Sequence, residues 1–213
     1  MPKRNEREYR TMPVMQIRAA EGEPAEGQPK SYRVRGYAST FNEPYVLYED
    51  ADGAIYEQVD AHAFDDADMS DVIFQYDHAG MVYARTSNGS LTIGTDDHGL
   101  WVEADLGLTE ESRKIWEAIS VGLITRMSFC FTILADEWDE RKKTDTITRV
   151  GKLSDVSCVS IPANPGTEIS TARKAFLDGV IREQQAERLA AEARAKKIRI
   201  LQLKAKAARL RKG

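Results

Sequence analysis

Arg126-Met127-Ser128-Phe129-Cys130-Phe131-Thr132-Ile133-Leu134 is the stretch on which the fold class turns. As a strand it sends Met127, Phe129, Phe131 and Ile133 to one face and Ser128, Cys130 and Thr132 to the other. Large apolar groups on one face call for a core, and small polar ones line the opposite face. Working outward, residues 145–150 and 153–161 are further strands, the last containing Leu153-Ser154-Asp155-Val156-Ser157-Cys158-Val159. Residues 31–40 and 71–76 also read as strands. Residues 90–94 and 100–106 flank Asp96-Asp97-His98-Gly99, turn residues that mark a hairpin. A Pro- and Asp-bearing excursion fills 41–60, a short helical turn 61–66, and Ala79-Gly80 a turn after His78. One helix interrupts the strands at 109–122. Thr109 is its N-cap, Glu110 and Glu111 suit its first turn, Ile115, Trp116 and Ile119 share a face, and Gly122 stops it. The body is therefore predicted to be a small β-rich α+β domain.

The length of 213 residues fits one domain with appendages, and a core of about 140 residues folds without disulfides or metal. Cys130 and Cys158 lie in apolar strands and are expected as free thiols in a reducing compartment. No apolar run reaches the roughly 18 residues of a membrane span, and no secretory signal opens the chain, so a soluble cytoplasmic protein is expected. The net charge of −4 conceals an asymmetry: residues 175–213 carry 11 Lys and Arg against 4 Asp and Glu, a net of +7, leaving −11 on the rest. Three parts follow. Residues 1–30 are polar and read as a flexible arm, with 14–18 pairing as an edge strand. Residues 31–174 form the domain. Residues 175–213 form a basic tail of strong helix formers, whose apolar positions Leu177, Ile181, Leu189, Ile198 and Leu201 make a broken stripe rather than a heptad. Charge opposite to the body's suits docking on an acidic partner or back on the body, and the tail lacks the aromatic interleaving of a nucleic-acid binder.

Ser128, His78 and Asp155 supply a hydroxyl, an imidazole and a carboxylate, the parts of a nucleophile, its base and the group that orients the base. Each has a plainer reading. Ser128 fits as a small residue among bulky ones, His78 as a solvated strand end, and Asp155 as an ion-pair partner of Arg126 or Arg149. His62 and His98 compete for the role of base. Asp77 adjoins His78, but consecutive strand residues face opposite ways, which favours Asp155. Scattered histidines and the absence of a Gly-rich phosphate loop argue against metal or nucleotide chemistry, and no cofactor is expected.

Arg35-Gly36-Tyr37-Ala38-Ser39-Thr40-Phe41-Asn42, Ala61-His62-Ala63-Phe64, Tyr76-Asp77-His78, Asp97-His98-Gly99-Leu100, Gly122-Leu123-Ile124-Thr125-Arg126-Met127-Ser128-Phe129 and the stretch 155–165 occur in an order that resembles the prohead maturation proteases of tailed bacteriophages, relatives of herpesvirus assemblin. The chain departs from the family pattern at Ala61-His62, at Ala84, and at Asp155, where Glu is common. The resemblance implies a barrel-like, assemblin-like protease domain with Ser128 as nucleophile, His78 as base and Asp155 as third member. In the related assemblins the loop after the third member's strand helps stabilise the oxyanion. Here that loop, Pro162-Ala163-Asn164-Pro165, carries no arginine, and it reads either as a source of N–H donors from Ala163 or Asn164 or as a Pro-bounded turn that only ends the strand. The implied activity is serine endopeptidase cleavage of the scaffolding segment of the major capsid protein, and of the protease itself, inside the assembling procapsid in the host cytoplasm. The alternative is a non-catalytic capsid-assembly or scaffold-binding factor of the same fold.

Overall fold

The computed structural model describes residues 7–10, 17–19, 31–50, 53–160 and 171–210. The strands are β1 (Arg7–Arg10), β2 (Ile17–Ala19), β3 (Arg33–Thr40), β4 (Tyr45–Asp50), β5 (Gly53–Val59), β6 (Ile73–Tyr76), β7 (Ala79–Arg85), β8 (Leu91–Thr95), β9 (Gly99–Asp105), β10 (Arg126–Asp139) and β11 (Thr144–Val159). The helices are α1 (Glu110–Ser120) and α2 (Thr171–Leu210). The chain divides into two compact units, one within Pro2–Ser170 and the other from Thr171 onward. No helix among the described residues is long and apolar enough to cross a membrane.

The first unit holds two sheets, one of seven strands and one of four. The larger runs β1-β10-β11-β5-β4, with β6 and β7 branching from β11; the smaller runs β2-β3-β9-β8. The branching comes from β11, which is 16 residues long. Its first part pairs in parallel with β5 and its last part in parallel with β6, while its whole length lies antiparallel to β10. A strand shared in this way splits the sheet instead of leading it round, so the two sheets do not close into the barrel expected from the resemblance. The architecture is mixed α+β and mostly strand.

The alternation read in residues 126–134 is present, but both faces of the strand are covered. Met127, Phe129 and Phe131 have no exposure, and neither have Ser128 and Cys130. Phe129 stacks on Phe131 at 4.5 Å and meets Phe64 at 6.3 Å, in a core that also takes Phe74 and Leu153 from the large sheet and Val34, Leu100 and Val102 from the small one. Helix α1 starts as the sequence indicates. Thr109 accepts from the Ser112 backbone N–H, Ser112 Oγ receives the Thr109 N–H, and Ile119 enters the core. Asp96 Oδ1 accepts the His98 and Gly99 N–H groups and fixes the β8–β9 hairpin.

Four parts differ from the sequence reading. The excursion 41–60 is a hairpin, β4–β5, whose alternation is masked by acidic residues. Strand β7 was not anticipated. Residues 145–150 and 153–161 are one strand as far as Val159, carried through Gly151 by irregular register. Arg7–Arg10, inside the segment expected to be a flexible arm, is paired with β10 and buries Glu8 and Arg10. Ile17–Ala19 pairs at the edge beside β3, close to the edge strand expected at 14–18.

Candidate active site

The site begins at the end of β6. Tyr76 pairs with Ala79, so Asp77 and His78 are the two central residues of a hairpin turn, with φ of 50° and 53°. Positive φ at both positions belongs to a type I′ turn, normally filled by Asn-Gly, and costs a side-chain-bearing residue roughly 1 kcal/mol or more. The turn thus falls on Asp77-His78 and not on Ala79-Gly80. Asp77 anchors it: its two carboxylate oxygens accept the Ser160 N–H and Oγ–H at 2.9 Å each, and its own N–H donates to the Cys158 carbonyl at 3.0 Å. Asp77 is therefore committed to Ser160, while the His78 ring turns inward. The reason is the turn's backbone, not the strand alternation invoked from sequence.

Across the sheet, Ser128 is registered opposite Ser157 and Cys130 opposite Asp155. Directly opposed residues of an antiparallel pair share a face, so these four side chains lie together. His78 reaches them with both ring nitrogens, Nδ1 at 2.5 Å from Asp155 Oδ1 and Nε2 at 2.6 Å from Ser128 Oγ. Ser157 Oγ donates to the same Asp155 oxygen at 2.9 Å. In place of the ion pair considered for it, the carboxylate is bonded by an imidazole and a hydroxyl. An ionised Asp155 fixes the proton on Nδ1, which leaves Nε2 as an acceptor for the Ser128 O–H. A hydroxyl, imidazole and carboxylate in this series can deliver a proton from the serine to the ring as the oxygen attacks a carbonyl.

The surroundings are largely buried. Ser128 has no exposure, and the His78 and Asp155 side chains are 13% and 8% exposed. Tyr9 sets its ring edge-on to His78 at 4.8 Å. The Arg10 carbonyl lies 2.9 Å from Ser128 Oγ as a second acceptor for its single proton. Burial, and then the Asp155 charge, pushes the Cys130 thiol up to about 11, and burial pushes Cys158 up to about 12. Both cysteines are free thiols and stay protonated at neutral pH, which removes them as competing nucleophiles.

His62 is exposed and pairs with Asp65 at 3.0 Å; His98 is exposed and packs edge-on to Tyr37. Neither lies with the trio. Among the described residues no group of His, Cys, Asp and Glu is arranged to hold a metal. The loop Pro162-Ala163-Asn164-Pro165 lies outside the described residues. Three contributors escaped the sequence reading. Ser157 carried a signal, since it stands two residues from Asp155 and so shares its face. Tyr9 and Arg10 carried none, because their place depends on pairing across more than a hundred residues.

Residues 16–178 match the family described as caudovirus prohead serine protease. Neither the curated proteins nor the solved structures contain a match to the chain.

Proposed function

Because this chain belongs to the caudovirus prohead serine proteases, we propose that it is a Ser-His-Asp endopeptidase that removes the scaffolding segment of the major capsid protein, and cuts itself, inside the assembling procapsid. The observation that carries this reading is the continuous chain Asp155–His78–Ser128, with contacts of 2.5 Å and 2.6 Å, formed by two strands and a hairpin turn in a protein of that family.

In this mechanism Ser128 Oγ attacks a peptide carbonyl while His78 Nε2 takes the hydroxyl proton. Asp155 holds the ring in the productive tautomer and stabilises the imidazolium that forms. His78 then returns the proton to the leaving amine, and water hydrolyses the ester by the same route in reverse. The buried setting favours this charge separation, because Asp155 acts on the ring at close range with reduced solvent screening. The third member is Asp where the family pattern often has Glu, and the short Asp155 contact supports its reaching the ring without the extra methylene. The protease domain is assigned to residues 31–174, with an assemblin-like relationship. The basic tail from 175 is assigned to docking on an acidic partner.

Intact mass of the purified chain, followed over hours, tests the reading. Fragments are expected from the wild type and none from Ser128→Ala; equal fragmentation of both, with contaminating protease removed, contradicts it.

A further inference from the structure

Ser128 is fully covered, and one of the groups on it is a peptide carbonyl of the chain itself. Strand β1 lies at the edge of the large sheet against β10, the strand that carries Ser128, with Tyr9 opposite Cys130 and Arg10 opposite Phe129. Adding an extended strand to a free sheet edge is a common way to hold a peptide, with backbone bonds giving affinity and side-chain pockets giving selectivity. Residues 7–10 also fall outside the stretch 16–178 that matches the family. The strand that blocks the nucleophile is thus an addition to the matched region.

The side chains of β1 are held as a ligand's would be. Arg10 Nε and Nη2 meet the two oxygens of Glu57 at 2.5 Å and 3.1 Å, a two-point guanidinium–carboxylate contact. Nη1 of Arg10 adds bonds to Glu8 Oε2 at 3.1 Å and to the Tyr9 carbonyl at 2.9 Å. Glu57 has no exposure and also receives the Tyr45 hydroxyl, while the guanidinium sits 5.8 Å from the Phe131 ring centroid. Burial works against the charge on Arg10, yet Glu57 holds its guanidinium above the ordinary range. If β1 leaves with its arginine, the buried Glu57 carboxylate loses its two-point guanidinium contact, and breaking a buried ion pair is strongly unfavourable. A second basic side chain relieves that cost.

We propose that β1 is a substrate bound in cis: Arg10–Thr11 is a self-cleavage bond, and Glu57 selects substrates with a basic residue on the acyl side of the cut. The proposal rests on the serine endopeptidase reading above. In the step it describes, Ser128 Oγ bonds to the Arg10 carbonyl carbon and the Arg10–Thr11 C–N bond breaks. The hydroxyl proton passes through His78 to the Thr11 nitrogen, and water then releases Arg10 as a carboxylate. Departure of residues 1–10 opens both the β10 edge and the Glu57 pocket. Cleavage of self is thereby the event that admits the shell protein.

Two measurements on the full chain test this. Mass spectrometry of the incubated protein is expected to find a product beginning at Thr11, absent from Ser128→Ala. Quenched fluorescent peptides spanning Arg-Glu-Tyr-Arg-Thr-Met-Pro, the sequence of residues 7–13, are then compared with versions in which the second Arg is Lys, Ala or Glu. Arg and Lys peptides are expected to be cut at least about 100-fold faster than Ala or Glu peptides, because a buried site left without its charged partner rejects the analogue. Glu57→Gln is expected to reduce that ratio to below about 10-fold. The peptide series on the wild type gives the answer even if Glu57→Gln fails to fold. Ser128-dependent cutting elsewhere with indifference to the basic residue overturns the inference and leaves the endopeptidase reading intact. No Ser128-dependent cutting of any peptide or of the chain overturns both.

Discussion

At the residue scale, the three side chains of the site carry unequal and predictable weights. Ser128→Ala is expected to lower peptide cleavage by about 10^6-fold if the trio acts as a unit. It removes one oxygen from a buried site and is expected to cost only about 1 kcal/mol of stability, which urea denaturation measures. Asp155→Asn is expected to cost about 10^4-fold in kcat, because the amide favours the wrong His78 tautomer. Asp77→Asn is expected to cost less than about 10-fold, since the amide oxygen still accepts from Ser160. Steady-state kinetics of the two variants side by side checks the order, and a reversed order removes Asp155 from its role. The sequence made these residues legible in unequal degree. Ser128 and Asp155 stand on long alternating strands whose faces follow from spacing alone. His78 is singled out from His62 and His98 only by the resemblance, and the backbone that aims it is not legible, because a left-handed Asp-His pair lacks the Asn-Gly signature of its turn. Tyr9 and Arg10 were invisible: a short polar strand shows its place only through its partner.

Elements show the same division between local and non-local information. Helix α1 was legible because its cap, acidic first turn and terminal glycine are neighbours in sequence. Thr109→Ala is accordingly expected to cost about 1 kcal/mol, the usual value of an N-cap. The β8–β9 hairpin was legible too, but its packing on β3 was not. A Cβ on Gly99 would stand 2.0 Å from the Ser39 carbonyl oxygen, a backbone atom with little room to yield. Gly99→Ala is therefore expected to cost about 3 kcal/mol or more, beyond the cap variant, by overpacking, and thermal unfolding of the two variants compares them. Hairpin β4–β5 was hidden by the acidic residues that mask its alternation, and the barrel expectation failed for a different cause. Strand β11 shares its length between two parallel partners, and that choice is made by the assembled core, not by a local pattern. The buried thiols on β10 and β11 add a pH signature. Their folded values, about 11 and about 12, lie above the ordinary 9.0, so the folded state holds their protons more tightly. The contribution is full below pH 9 and is lost as pH rises toward 12. Iodoacetamide at pH 8 is expected to modify neither cysteine until the protein unfolds.

For the whole molecule, the charge division read from sequence has a structural counterpart in α2, a helix of 40 residues. Its residues 185–200 are all exposed, including Leu189 and Ile198 at 60% and 56%. Such a helix gains little from burying its stripe, and its basic charge is what supports the proposal that it docks on an acidic partner. Replacing Arg194, Lys197 and Arg199 with Glu is expected to reduce incorporation into assembling shells several-fold while leaving peptide turnover unchanged. Raising salt is expected to weaken incorporation of the wild type in the same direction. Quantification of the protease in purified proheads checks both. The central claim, that Ser128 performs endoproteolysis of the shell protein, is tested most directly by co-expressing the major capsid protein with the wild-type chain or with Ser128→Ala and measuring its intact mass. A shell protein shortened by its scaffolding segment is expected with the wild type and a full-length one with Ser128→Ala; a full-length shell protein in both, from assembled proheads that contain the protease, would contradict the claim.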